Sequence, residues 1–251
     1  MRSDRVPHPE TLHVGVQGNL SLLQGRRLEQ VLRRAHLVVF RFGGLDLCAE
    51  PAPEGRLRLA GPGEPDEANL VLALGFDDGD PLELRYLDPA RHASAWLIAS
   101  EDWSAIPGLQ HGGVDVLSRA FNAERLASLL RHESGAVRDV LMNRRALDSV
   151  GPAWADAVLL EARLHPRTPA RAVSRDSAAA LYGAIRDLLG RAVEAGSRLD
   201  AEANELRPLE GRDCPRCGTA LVRTRLKSGS ARLCPSCQPP PGGGRAPGRV
   251  R

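Results

Sequence analysis

Cys214, Cys217, Cys234 and Cys237 form C-x2-C-x16-C-x2-C, the feature that most constrains this chain. Each pair lies on a short turn, Cys-Pro-Arg-Cys-Gly and then Cys-Pro-Ser-Cys-Gln. Such turns aim two thiolates at one point, and the interval between them fits a β-hairpin. Four thiolates at about 2.3 Å satisfy the tetrahedral preference of Zn²⁺, so the spacing predicts one structural zinc ion in a C-terminal ribbon. Two disulfides or a redox C-x-x-C are the rival readings. A redox motif opens a helix after a strand and does not come with a matched second pair. A ribbon this short builds no core of its own, so its bland role is that of a staple.

Charge gives the ribbon a second role. From Gly211 to Arg251 there are nine basic residues against the single acid Asp213, a local balance of +8. The whole chain carries only +3, which leaves −5 for residues 1–210. Guanidinium forks match phosphate oxygens, so Arg223, Arg225, Lys227 and Arg232 read as a phosphate-contacting face. The competing reading is an ordinary solvated charged face. Lys227 is the chain's one lysine, so a mechanism needing a nucleophilic lysine has a single candidate, inside the ribbon.

At 251 residues the chain can bury a full core, as two domains plus the ribbon. No apolar stretch reaches membrane-spanning length, and the N-terminus lacks a signal-peptide run. These features predict no membrane association and a cytoplasmic, nucleoid-associated location, in keeping with reduced thiols. Cys48 has a strand-like setting and reads as a buried bystander.

The pattern then separates into an α+β multidomain chain. Residues 12–23 read as a short amphipathic helix. Residues 27–98 are strand-like: 37–42, 56–59, 69–76 and 82–86 are strand candidates, with a turn at 77–80 and loops at 49–55 and 60–65. This predicts an N-terminal antiparallel β-sandwich or barrel over 1–110, not a βαβ fold. Helical spacing follows at 118–131, 136–142 and 154–164, the last opening at Gly151-Pro152, where proline suits the first turn. Ser174 is read as the cap of a long helix carrying Leu181, Ile185, Leu188, Leu189 and Val193 on one face, stopped by Gly196. The expected domains are therefore 1–110, a helical domain at 114–200, the zinc finger at 211–238 and a disordered tail at 239–251.

Particular residues sharpen this. Residues 150–166 read Val-Gly-Pro-Ala-Trp-Ala-Asp-Ala-Val-Leu-Leu-Glu-Ala-Arg-Leu-His-Pro. This segment resembles the helix–two-turn–helix of the formamidopyrimidine-DNA glycosylase/endonuclease VIII family. Leu84 through Arg91 is similar to that family's strand and loop before its Phe-Gly. Arg33-Arg34-Ala35, Leu117-Ser118 and Phe121 through Glu124 also match, as do the Cys-Gly-Thr and Cys-Gln of the ribbon. The resemblance covers most of the chain, with deletions.

The resemblance implies base excision: a damaged nucleotide of double-stranded DNA is flipped into a pocket, and an N-terminal proline amine attacks the sugar. It implies a monomer acting on damaged DNA, with the helical hairpin and the zinc finger holding phosphates. Arg91, Arg138 and Gly151 join Arg223, Arg225, Lys227 and Arg232 as DNA-binding residues. The family's proline position falls on Pro7, which becomes the terminal residue only if the chain starts there; a valine start at Val6 would allow this. The glutamate position falls on His8, with Glu10 nearby, and the assisting lysine position on His36. Histidine transfers protons near neutral pH, so both are chemically admissible. Other departures are Pro152 at the hairpin asparagine, Cys48–Gly55 at the wedge segment, His92 at the aromatic and Gly229 at the ribbon arginine. The segment 197–213 is shorter than the family's lesion-recognition segment. Two readings result: a glycosylase/lyase with eroded catalytic residues, and a non-catalytic zinc-containing relative that binds DNA. A third, weaker reading is a ribbon that contacts acidic proteins.

Overall fold

The computed structural model describes residues 4–5, 12–14, 20–50, 55–61, 63–76, 82–90, 92, 94–107, 109, 112–195 and 213–242; strands before residue 15 are described by their backbone. The chain divides into two compact units, Met1–His111 and Gly112–Arg251.

The first unit holds β1 (Asp4–Arg5), β2 (Leu12–Val14), β3 (Gln30–Arg34), β4 (Leu37–Phe42), β5 (Leu45–Glu50), β6 (Arg56–Ala60), β7 (Leu70–Phe76), β8 (Leu82–Leu87) and β9 (Ser94–Ala99). They form a four-stranded sheet in the order β1-β7-β8-β6 and a five-stranded sheet in the order β2-β9-β5-β4-β3. One core joins the two sheets. Phe40, Phe42, Leu45, Leu47, Ala49 and Leu97 meet Leu72, Leu74 and Tyr86. Alternate residues of the five-stranded sheet (Leu37, Val39, Cys48, Trp96, Ile98) are buried on its other side with Ile106. A sheet covered on both faces explains why residues 37–42 read as a nearly unbroken apolar run.

Two sequence expectations are corrected here. The helix expected over 12–23 is absent: Leu12–Val14 is a strand, and a 3₁₀ turn occupies Leu20–Leu23. Gly15 and Gly18 weaken a helix across this interval, and β9 offers a ladder in its place. The strand pairs with β9 in parallel, Leu12 with Ala95 and Val14 with Leu97, so the sandwich is antiparallel except at this edge. Residues 49 and 50, expected in a loop over 49–55, belong to β5, which runs through Glu50, and residues 51–54 lie outside the described residues. The turn proposed at 77–80 lies outside the described residues, as do residues 196–212 and 243–251, with most of the expected tail.

In the second unit α1 (Ala123–His132), α2 (Val137–Leu141), α3 (Pro152–Glu161) and α4 (Arg175–Ala195) surround one apolar core that includes Phe121, Leu126, Leu130, Val140, Leu159, Leu181 and Ile185. Helix α1 starts five residues later than expected, because Asn122 Oδ1 accepts from Arg125 N at 2.8 Å and caps it. Ser118 instead donates to the Asp115 carbonyl, at 2.7 Å, in the preceding turn. Ser174 caps α4 as expected, accepting from Ser177 N at 3.1 Å. Val193, expected on the buried face of that helix, is 61% exposed. Between α2 and α3, β11 (Leu147–Asp148) pairs in parallel with β10 (Val114–Asp115). Gly113 is needed there: a Cβ on it would stand 2.2 Å from the Ala146 carbonyl carbon.

Candidate nucleic-acid interface and metal centre

The ribbon is the hairpin β12 (Val222–Leu226) and β13 (Gly229–Leu233) between two cysteine turns. In the first turn Gly218 N donates to the Cys214 carbonyl at 2.8 Å, with Gly218 at φ +70°. In the second, Gln238 N donates to the Cys234 carbonyl at 2.9 Å and Cys237 N to Cys234 Sγ at 3.4 Å. All four sulfurs lie within 4.8 Å of one another. Cys217 is 3.5 Å from Cys234 and 3.6 Å from Cys237, and Cys214 is 3.8 Å from Cys237. Bonds of about 2.3 Å to a central tetrahedral ion require sulfur edges of about 3.8 Å. The sulfurs thus fit such an ion and are too far apart for disulfides, and all four cysteines are free. Hydrogen bonding by Thr219, through its hydroxyl and then its amide, brings the Cys217 thiol down to about 6. Burial pushes the Cys237 thiol up to about 12. Cys217 therefore offers a ready thiolate, and a bound cation would favour loss of the Cys237 proton.

Strand alternation sorts the ribbon's charges. Arg223, Arg225 and Lys227 are exposed, while Thr224 and Leu226 between them are half-buried. Arg223 is the register partner of Arg232, which is half-buried, and Arg225 is that of Ser230. The strands are joined through Lys227 and Ser228, and Gly229 takes φ +100°, the left-handed position such a turn reserves for glycine.

The ribbon is seated on the helical hairpin by directional bonds. Arg138, expected on a phosphate-contacting surface, is instead fully buried. Its Nε donates to Asp156 Oδ1 at 2.6 Å, Nη1 to Ser228 Oγ at 2.8 Å and Nη2 to the Ser230 carbonyl at 3.0 Å. With all three nitrogens bonded and no exposed surface, it meets neither solvent nor a phosphate. Asp156 Oδ2 accepts from Arg232 N at 2.8 Å, and Asp139 Oδ1 from Ser228 N at 2.9 Å. Burial holds the Asp156 carboxyl above its ordinary value, against the opposing pull of the Arg232 amide and Arg138. Gln238, fully buried, accepts from Cys234 N at 2.9 Å and donates to the Leu164 carbonyl at 2.7 Å, tying the second cysteine turn to the end of α3. Leu160 packs on Cys214 and Cys234. Asp139, Asp156, Ser228 and Gln238 carry no motif signal for this role, since the bonds these four make between ribbon and helical hairpin join residues 74 to 90 positions apart.

Gly151 is the N-cap of α3, with Pro152 at the first helical position and no side-chain cap. The amides that open α3 are there, and the side chain at that position has no donor. In the first unit His36 follows Ala35, which sits at φ +53° in the turn between β3 and β4, and its Nε2 is 3.7 Å from Glu50 Oε1. Arg34 of β3 lies over the Trp103 ring, 4.3 Å from its centroid. Pro7, His8, Glu10 and Arg91 lie outside the described residues. Among the described residues no helix is long and apolar enough to cross a membrane.

Residues 113–201 match the formamidopyrimidine-DNA glycosylase H2TH domain. Formamidopyrimidine-DNA glycosylase of Roseiflexus sp. (strain RS-1) is 32% identical over 233 residues, 87% of this chain and 84% of the relative. That of Thermus thermophilus is 30% identical over 236 residues, 88% and 85% of the two chains. The crystal structure of MutM (Fpg) from Thermus thermophilus superposes with a TM-score of 0.80 at 29% identity, covering 94% of this chain and 90% of that one. A Lactococcus lactis Fpg, solved with DNA containing FAPY-dG, has a TM-score of 0.82 at 22% identity, covering 95% and 92%, a likeness of fold. With the four-cysteine ribbon seated on a helical hairpin of this type, the chain belongs to the formamidopyrimidine-DNA glycosylase family.

Proposed function

We propose that this protein binds double-stranded DNA at damaged sites in base-excision repair, with one structural zinc ion in the Cys214–Cys217–Cys234–Cys237 centre. The observation that carries the reading is the ribbon face itself. Arg223, Arg225 and Lys227 project from a hairpin that has little core of its own and is fixed to the helical hairpin through Arg138, Asp139 and Asp156. Cations concentrated on a rigid strand face suit a phosphate backbone, whose counterions they release. The donor set supports zinc: four thiolates at tetrahedral separations are a closed structural site. The relatives carry the name formamidopyrimidine-DNA glycosylase, and solved structures of the same fold hold lesion-bearing DNA. Arg91, by the family resemblance, joins the DNA-contacting residues.

Glycosylase/lyase chemistry in this chain rests on Pro7 as a terminal amine, with His8 or Glu10 as acid/base and His36 assisting. A specific observation favours the second reading, a non-catalytic DNA-binding relative: the position opening α3 is Pro152, which has no side-chain donor. His36 Nε2 moreover stands 3.7 Å from Glu50 Oε1, within its own sheet.

Borohydride trapping on duplexes with an abasic site or an oxidised purine separates the readings. A covalent adduct that disappears in Pro7→Gly establishes imine chemistry. Salt-dependent binding without adduct or cleavage, even from a chain made to begin at Pro7, establishes the non-catalytic reading. Absence of salt-dependent binding to any duplex would sink both.

A further inference from the structure

Arg138 of α2 and Asp156 of α3 bond each other through Nε and Oδ1, and their remaining bonds are directed at the ribbon. Arg138 Nη1 reaches the Ser228 hydroxyl at 2.8 Å and its carbonyl at 3.2 Å, and Nη2 reaches the Ser230 carbonyl at 3.0 Å. Asp156 Oδ2 takes the Arg232 amide and Asp139 Oδ1 the Ser228 amide, at 2.8 and 2.9 Å. Main-chain groups of residues 228, 230 and 232 are thus held by three side chains of the helical hairpin. Lys227 immediately precedes the first of these residues, and Arg232 is the last and the register partner of Arg223. Apolar contact such as Leu160 on Cys214 and Cys234 fixes how close the ribbon lies. It does not fix rotation of the hairpin about its length. The planar guanidinium does, because its donors leave in fixed directions and meet three acceptor residues at once.

We propose that Arg138, through its buried pair with Asp156, is a positioning residue that sets the orientation of the ribbon's cationic face, so that the turn at Lys227 and the start of α3 engage one DNA backbone as a single rigid surface. This rests on the DNA-binding reading above. The arrangement has a reason to be ionic. A buried pair often contributes little net stability over a well-packed apolar one, but its directional bonds can select one geometry. Rigid pre-alignment removes the ordering cost that a swinging ribbon would meet at binding.

The test uses the full chain loaded with zinc. Arg138→Lys keeps the positive charge beside Asp156 but cannot reach Ser228 and Ser230 together. The Arg138→Met/Asp156→Leu double variant keeps volume and leaves no uncompensated buried charge, which guards against simple unfolding. For each, affinity for a short duplex is measured across a salt series, with zinc content and amide exchange. The expected result for both is about tenfold weaker binding at moderate salt. The plot of log affinity against log salt becomes shallower by about 2, as the ribbon's contacts are lost. Exchange across residues 226–232 accelerates while zinc content and exchange in α4 stay as in the unmodified protein. A merely stabilising contact would not move the salt slope at constant zinc. Retention of the unmodified affinity and slope by both variants overturns the inference and leaves the DNA-binding reading intact. If the unmodified protein shows no salt-dependent binding, that reading fails, and the positioning role for DNA falls with it.

Discussion

Arg223 and Arg232 oppose each other across the two ribbon strands, as Cα partners in the antiparallel register. Like charges placed opposite cost a sheet stability; Arg232 already interacts with the Asp156 carboxylate, so a bound anion would relieve the exposed Arg223. Arg225, two residues along β12, adds a third cation to the same strand face. Arg223→Ser is therefore expected to leave the free protein's thermal midpoint unchanged or slightly higher. Duplex affinity should fall, with a salt slope shallower by about 1. Calorimetry and a binding titration in parallel check both halves; a lower midpoint with unchanged affinity would mark Arg223 as structural.

The four sulfurs stand at metal-binding separations on a segment with a small core, so metal and ribbon structure should be lost together. Cys214→Ser, or a strong chelator, is expected to abolish stoichiometric zinc. It should also remove amide protection from residues 213–242 while the helices α1–α4 keep theirs. Elemental analysis with hydrogen exchange measures this, and full zinc occupancy in Cys214→Ser would contradict the assignment.

Arg163 offers a stabilising change. Leu164 N donates to the Leu159 carbonyl at 2.9 Å and Arg163 N to the Leu160 carbonyl at 3.1 Å, the paired bonds that close α3 with a left-handed residue. That residue is Arg163, at φ +56°, where a side chain is strained. Arg163→Gly is expected to raise stability by about 0.5–1 kcal/mol, read by chemical denaturation. A loss would show that the arginine side chain makes a compensating contact.

Acid should act on the β-rich unit through Asp46. Its side chain is fully buried, and Arg41 donates to both its oxygens at 2.9 and 3.0 Å, joined by Ser100 Oγ and Glu101 N. Burial pushes the carboxyl up, but these hydrogen bonds outweigh it and hold the group below its ordinary value of 3.8. With the folded value depressed, the contribution of Asp46 is complete above about pH 4 and is lost as pH falls through the folded value. Asp46→Asn is expected to cost about 2 kcal/mol at pH 7, a difference that narrows below pH 4. Urea denaturation at pH 7 and pH 3 tests this; an equal difference at both would rule out the linkage.

The sequence by itself determined the elements whose causes are local. The cysteine spacing announced the ribbon, Gly151-Pro152 the start of α3, Ser174 the cap of α4, and the apolar run over 37–42 with the partial alternation over 69–76 the strands. It misread residues 12–14, because a three-residue strand depends on the open edge of β9, more than eighty residues later. Tertiary structure alone decided the fate of Arg138. In the sequence it is one more arginine, which the family resemblance assigns to DNA contact. In the fold it is buried against Asp156 and the ribbon backbone, because a guanidinium removed from water needs acceptors at its nitrogens, and residues from 18 to 92 positions away supply them to Nε, Nη1 and Nη2.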